Sequence, residues 1–219
     1  MKLATIGKHL VGFFFSNDTH FLPRLQILSG YLEKMTELLC LTIEKKTKTE
    51  RNILNTNIEL YGKKLQTESR QIISELENNF LTEISREDIL AITKITEKTS
   101  EQIIEACLSF ETSAINLSQH NFFHSLCSAI LDSTSSICIC FKHLQKPLNK
   151  TLLKSSSDKI QLHNKNAGRA AKALKAEIFS AEIPAIQQIK LNHCLELLEG
   201  VIEQCNEMHY KIESILAKK

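Results

Sequence analysis

Two rows of glutamates carry the chain's most regular chemistry. Glu97, Glu101 and Glu105 lie four apart, and Glu199, Glu203 and Glu207, with Glu196 just before them, repeat that rhythm near the C-terminus. Residues four apart on a helix project from one face. Like charges there destabilise the helix by about a few tenths of a kcal/mol per pair. A cation held by carboxylate oxygens would relieve the repulsion, and so would lysines on a neighbouring helix. The residues alone leave a metal site, a salt-bridged face and a solvated face open.

Other chemistry is poorly supported. His120 and His124 are four apart, but Asn121 follows His120, so the zinc-protease pattern is not met. No phosphate-cradling Gly-Lys-Ser loop, dinucleotide glycine fingerprint or Gly-x-Ser-x-Gly elbow occurs. The histidines, including His143, His193 and His209, read as core or surface residues, and no enzyme is expected. The seven cysteines are odd in number and contain no Cys-x-x-Cys. Cys138 and Cys140 form a single Cys-x-Cys without zinc-finger histidines, so the thiols read as buried or idle in a reducing compartment.

Helices must position these groups. The 219 residues are 42% hydrophobic with only six Gly and three Pro, too few turn formers for a β-rich fold. Leu25, Leu28, Leu32, Met35 and Leu39 alternate steps of three and four, as do Leu191, Cys194, Leu198, Val201, Cys205, Met208, Ile212 and Ile215. Ile89, Ile92, Thr96, Thr99, Ile103, Ala106 and Phe110 form a weaker seam of the same kind. Pro23 and Pro184 stand near helix starts, where a missing N–H costs nothing, and Pro147 divides two segments. Ser85 is placed to cap a helix opening at Arg86, its hydroxyl reaching the N–H of Asp88, with Glu87 and Asp88 at the positive end of the dipole. The pattern predicts six helices, over about 20–45, 50–80, 86–112, 119–146, 151–181 and 185–217, joined by short loops into an elongated up-down bundle.

An internal echo points to duplication. Phe80 precedes Asp88, Glu97 and Glu101, and Phe179 precedes Lys190, Glu199 and Glu203. The step from Asp88 to Glu97 equals that from Lys190 to Glu199. A single domain of two related three-helix halves, over about 20–112 and 119–217, is expected.

Charge is balanced overall at +2 but not locally. Residues 142–176 hold nine Lys or Arg against Asp158 alone, a net +8, leaving the remainder at −6. Lys142, Lys146, Lys150 and Lys154 recur four apart across Pro147. This basic stretch, through Lys175, suits a partner surface, anionic lipid or water. It lacks the interleaved aromatics of a nucleic-acid site, so nucleic acid is not expected as a partner. The apolar "LVGFFF" is flanked by Lys8 and His9 without a small-residue cleavage site, so a signal peptide is not expected. The longest uncharged run, 112–131, is half polar and reads as a bundle helix or docking and oligomer surface rather than a membrane span.

The joint "FLTEISREDI" resembles the signature of the PhoU-like phosphate transport regulator family, accessory proteins of the Pit inorganic phosphate transporter. Phe80, Thr82, Arg86, Glu87, Asp88 and Ile89 match that signature, with Glu83 where the family has Pro and Ser85 where it has Asp. The last helix matches in register at Lys190, Leu198, Glu199, Cys205, Glu213, Ile215 and Lys218. The resemblance implies an all-α PhoU-like bundle of two three-helix halves. It implies a cytoplasmic, non-enzymatic regulator that docks on a phosphate transporter at the inner membrane face. It also implies metal clusters between paired carboxylates on adjacent helices. Glu97 and Glu101 match one such pair, and Glu199 and Glu203 its counterpart, so these four are the candidate metal ligands. The facing positions on the second and fifth helices hold Gly62 and Gln66, and Asn164 and Gly168, none of them acidic. Lys165, Arg169 and Lys172 on the fifth helix are expected to meet the glutamates of the last helix in place of a metal. A carboxylate metal-binding bundle without a transport role, and a drifted structural adaptor, are the competing readings.

Overall fold

Side-chain caps set three of the helix starts. The Thr47 hydroxyl accepts from the Glu50 N–H at 3.3 Å, as an N-cap does, and donates to the Glu50 carboxylate at 2.6 Å. Ser85 Oγ accepts from the Asp88 N–H at 3.1 Å, as its position in the sequence predicts. Asn149 Oδ1 accepts from the Leu152 N–H at 3.0 Å. A computed structural model describes residues 21–45, 47–78, 82, 84–113, 121–145, 148–180 and 183–218. Among them are six helices and no strand: α1 (Phe21–Glu44), α2 (Lys48–Asn78), α3 (Arg86–Ser113), α4 (Asn121–Leu144), α5 (Lys150–Ser180) and α6 (Ala185–Lys218). The first helix begins within its Pro23 turn, and every boundary agrees with the periodicity to within a few residues. The motif residues Phe80 and Glu83, and also Lys146, Pro147 and His120, lie outside the described residues.

Residues 45–47 alone separate α1 from α2, and so short a chain spans no more than about 14 Å. The 31 residues of α2 extend about 46 Å, so the two helices must run antiparallel. Within the first half α1, α2 and α3 pack on one another, and within the second α4, α5 and α6 do. The halves meet where α1 packs on α4 and α3 on α6. Helices α2 and α5 lie on the outer sides, each against the other two helices of its own half.

The duplication is legible in burial. Asn55, Ile58, Gly62, Leu65, Ser69, Ile72 and Leu76 form the buried face of α2. Adding 102 to each gives Ser157, Ile160, Asn164, Ala167, Ala171, Leu174 and Ile178, all buried in α5. The same offset carries the buried face of α3, from Ile89 to Phe110, onto that of α6, from Leu191 to Ile212. Between α1 and α4 the offset is 98, and Thr36 and Thr134, 98 apart, hydrogen-bond each other at 2.7 Å. A residue that touches its own counterpart lies on a pseudo-twofold axis. At the α3–α6 seam a Cβ on Gly200 would lie 2.5 Å from Gln102 Nε2. The counterpart contact is Lys98 Nζ donating to the Gln204 amide oxygen at 3.0 Å, with that amide turned to accept. Phe179 falls outside this register: it follows Phe80 by 99 residues and corresponds to Glu77 instead.

Candidate functional site

The offset of 102 relates Glu97 and Glu101 to Glu199 and Glu203, and Gly62 and Gln66 to Asn164 and Gly168, the pairings drawn from sequence. In the first half they do come together. Glu97 and Glu101 on α3 line a groove of about 210 Å³ with Glu59, Gly62, Lys63 and Gln66 on α2. Glu97 is half-buried and Glu101 exposed. Burial, with repulsion from Glu101, pushes the Glu97 carboxyl above its ordinary value, against the opposing pull of Ser69, Arg70 and Lys94.

At Gly62 the lack of a side chain lets α3 approach α2 closely. A Cβ there would lie 2.7 Å from Ile104 Cδ1 and 3.4 Å from Ser100 Oγ. An acid at this position would have to displace Ile104. In the second half the counterparts of Gly62 and Ile104 are Asn164 and Asn206, and they hydrogen-bond, Asn164 Nδ2 donating to Asn206 Oδ1 at 2.9 Å. Asn164 Oδ1 accepts from Ser133 at 2.8 Å. Its amide is spent on holding α4, α5 and α6 together. Gly168 has nothing within 4 Å of where a Cβ would stand.

In the first half Glu59 joins Glu97 and Glu101 as a third carboxylate lining the groove. Among the described residues no three His, Cys, Asp or Glu converge as ligands, and a hard divalent cation takes six or more oxygens at about 2.0–2.6 Å. The expected substitute charges are also elsewhere. Lys165, Arg169 and Lys172 are exposed, and none pairs with Glu199 or Glu203 among the described residues. They lie on the outer side of α5, because the face toward α6 is the buried row through Asn164 and Ala171.

The acidic joint has a structural role that its sequence did not announce. Asp88 is 2% exposed. Lys211 Nζ donates to Asp88 Oδ1 at 3.2 Å and Lys218 Nζ to Asp88 Oδ2 at 2.7 Å. Burial alone would raise this carboxyl, but hydrogen bonds from Lys218, Ser85 and Lys211 hold it below its ordinary value. Ile84 and Ile89, at the two positions of a hydrophobic staple around the Ser85 cap, are both buried. The joint thereby fastens the start of α3 to the end of α6. The seven-residue spacing of Lys211 and Lys218, which places both on one helical face, was the available signal.

A second polar cluster joins α5 to α6. Ser157 donates to Glu213 Oε1 at 2.5 Å and meets His209 Nδ1 at 3.1 Å, and Lys154 donates to Glu213 Oε2 at 2.9 Å. Since the hydroxyl proton goes to the carboxylate, the imidazole supplies its own N–H to Ser157. An activated serine needs the opposite direction of transfer, and both Ser157 and His209 are buried. Burial depresses the His209 pKa, although Glu213 opposes this. The cluster reads as internal bracing.

A cleft of about 250 Å³ between α1 and α4 is lined by Cys40, Glu44, His124 and Cys127, among others, and His124 Nε2 lies 3.0 Å from Glu44. All seven cysteines are free thiols. Burial pushes Cys40, Cys140 and Cys205 up to about 12, which keeps them from acting as thiolates. Helix α4, from Phe122 to Leu144, is long and apolar enough to cross a membrane by composition, but half of that span is buried within the bundle.

Solved structures share this architecture. A PhoU-like protein from Shewanella oneidensis MR-1 superposes with a TM-score of 0.78 at 13% identity, over 90% of this chain and 100% of the other. The chain has the PhoU-like fold. A PhoU-like phosphate regulatory protein from the same organism gives 0.79 at 14% identity, over 91% and 100%. No family profile and no curated protein matches the sequence. In this PhoU-like bundle the paired glutamates sit on corresponding faces of α3 and α6, while the opposing helices offer no carboxylate at the matching positions.

Proposed function

We propose that this protein is a non-enzymatic regulator of inorganic phosphate transport, acting in the cytoplasm by docking on a Pit-type membrane transporter. The observation that carries the reading is a fold match along nine-tenths of the chain to a PhoU-like phosphate regulatory protein, together with the "FLTEISREDI" joint. Docking would act by occlusion or by biasing the transporter's conformation, with no covalent chemistry. The Ser157–His209 contact is buried and oriented away from nucleophilic use. Metal binding through Glu97, Glu101, Glu199 and Glu203 is a second reading, favoured in the first half by the groove that Glu97 and Glu101 share with Glu59, and elemental analysis of the purified protein tests it.

Deletion of the gene, followed by uptake of radiolabelled phosphate at low and high external phosphate, tests the reading. Altered dependence of uptake on phosphate is the expected result, and its direction gives the sign of regulation. Unchanged uptake at every phosphate level would refute it. Copurification of a phosphate transporter with the tagged chain from detergent-solubilised membranes is the expected physical correlate.

A further inference from the structure

The corner where α5 gives way to α6 holds large apolar side chains in water. Phe179, Ile186 and Ile189 are 63%, 60% and 66% exposed. Lys172, Lys175 and Phe179 recur at steps of three and four along the end of α5, and Ile189 and Lys190 follow Ile186 by three and four on α6, so each set shares one side of its helix. Lys172 and Lys175 are exposed and form no ion pair among the described residues.

The duplication provides an internal control. Phe179, Ile186, Ile189 and Lys190 correspond, 102 residues earlier, to Glu77, Ile84, Glu87 and Asp88. Glu77 and Glu87 are exposed, and Ile84 is only 4% exposed. The same corner of the fold is thus built once with Glu77 and Glu87 outside and Ile84 and Asp88 inside, and once with Phe179, Ile186 and Ile189 outside beside Lys172 and Lys175, with the half-buried Glu177 between Lys175 and Phe179. Packing does not require apolar residues at the positions of Phe179 and Ile189, since Glu77 and Glu87 fill them in the first half. Exposed apolar side chains interspersed with ammonium groups suit a surface that is anionic at its face and hydrocarbon beneath.

We propose that the α5–α6 corner docks the protein on an anionic lipid bilayer. Phe179, Ile186 and Ile189 enter the headgroup layer, while Lys172, Lys175 and Lys190 engage lipid phosphates. An acidic protein segment would answer the lysines alone, and a second copy of the corner would bring lysine against lysine. The inference goes beyond the proposed regulation, since contact with a bilayer needs no transporter.

The test is co-sedimentation of the full chain with vesicles of phosphatidylcholine, and of phosphatidylcholine mixed with phosphatidylglycerol. Binding is expected to the mixed vesicles only, and to weaken as salt rises. F179E/I189E, which installs the glutamates of the first half, and K172E/K175E should each weaken that binding by about tenfold or more. Circular dichroism melting of both variants should match the parent, which separates lost docking from lost folding. The proposal is overturned if the parent ignores anionic vesicles, or if the melting-competent variants bind as the parent does. It is also overturned if F179E/I189E abolishes a concentration-dependent dimer seen by analytical ultracentrifugation. Because the vesicles contain no transporter, failure here leaves the uptake experiment to stand or fall separately.

Discussion

At Asp88 a carboxylate is buried and still charged, because two lysines and a cap hydroxyl surround it. Its folded pKa lies below its unfolded one, so its contribution is present at neutral pH and is lost as pH falls below about 4. Glu213 follows the same sign, with Ser157 and Lys154 outweighing burial. His209 adds a second step: burial keeps it neutral, whereas the unfolded chain takes up the proton below about 6.5, so stability also falls from pH 7 towards pH 5. Thermal melts across pH should therefore decline in both windows. Asp88→Asn should lower stability at pH 7 by about 1–3 kcal/mol and flatten only the decline below pH 4. The glycines give a paired prediction. Gly168→Ala meets open space and should stabilise by about 0.5–1 kcal/mol from helix propensity. Gly62→Ala should return less, or destabilise, because Ile104 must move. Urea denaturation of the two variants decides this, and equal gains would contradict the tight approach at Gly62.

Between elements, corresponding seams are held by different chemistry. Gly62 and Ile104 join α2 to α3 by apolar contact, while Asn164 and Asn206 join α5 to α6 by a hydrogen bond that also reaches Ser133 on α4. Asn164→Gly, the residue of the first half, should cost about 1–3 kcal/mol by removing the hydrogen bonds to Ser133 and Asn206. Asn206→Ile in the same background should recover part of that loss, by substituting the apolar pairing of the first half. Chemical denaturation of the single and double variants measures the coupling, and strictly additive losses would sink the claim that these two positions work as a unit. The glutamate rows are legible at this scale too: their spacing and phase followed from helical periodicity. What faces them did not, because a neighbouring helix contributes whichever side its own packing leaves free. Lys165, Arg169 and Lys172 are turned outward for that reason.

For the molecule as a whole, the two related halves pack on each other through extended seams. α1 and α3 of the first half bury their faces against α4 and α6 of the second, with the Thr36–Thr134 bond at the centre of one seam. The bundle should unfold in one cooperative transition, with circular dichroism and tyrosine fluorescence superimposing on a common urea curve. A fragment covering 21–113 alone would expose those faces and should either remain unfolded or associate with a second copy through them. A stable monomeric fragment would show that the halves are separable.

Helical periodicity, cap residues and short connections determined the six helices, their lengths and their antiparallel order, because each depends on neighbours within a few positions. The family resemblance, joined to the equal spacing of Asp88 to Glu97 and Lys190 to Glu199, placed Gly62 and Gln66 in correspondence with Asn164 and Gly168. Only the tertiary structure decided that Ile104 closes on Gly62, that Lys211 and Lys218 reach across the fold to Asp88, and that Phe179 stands in water at a position its counterpart fills with Glu77. Those outcomes depend on the rotation of each helix against partners that are distant in sequence. A one-dimensional pattern fixes the face a helix buries, but not which side chains meet it from the other side.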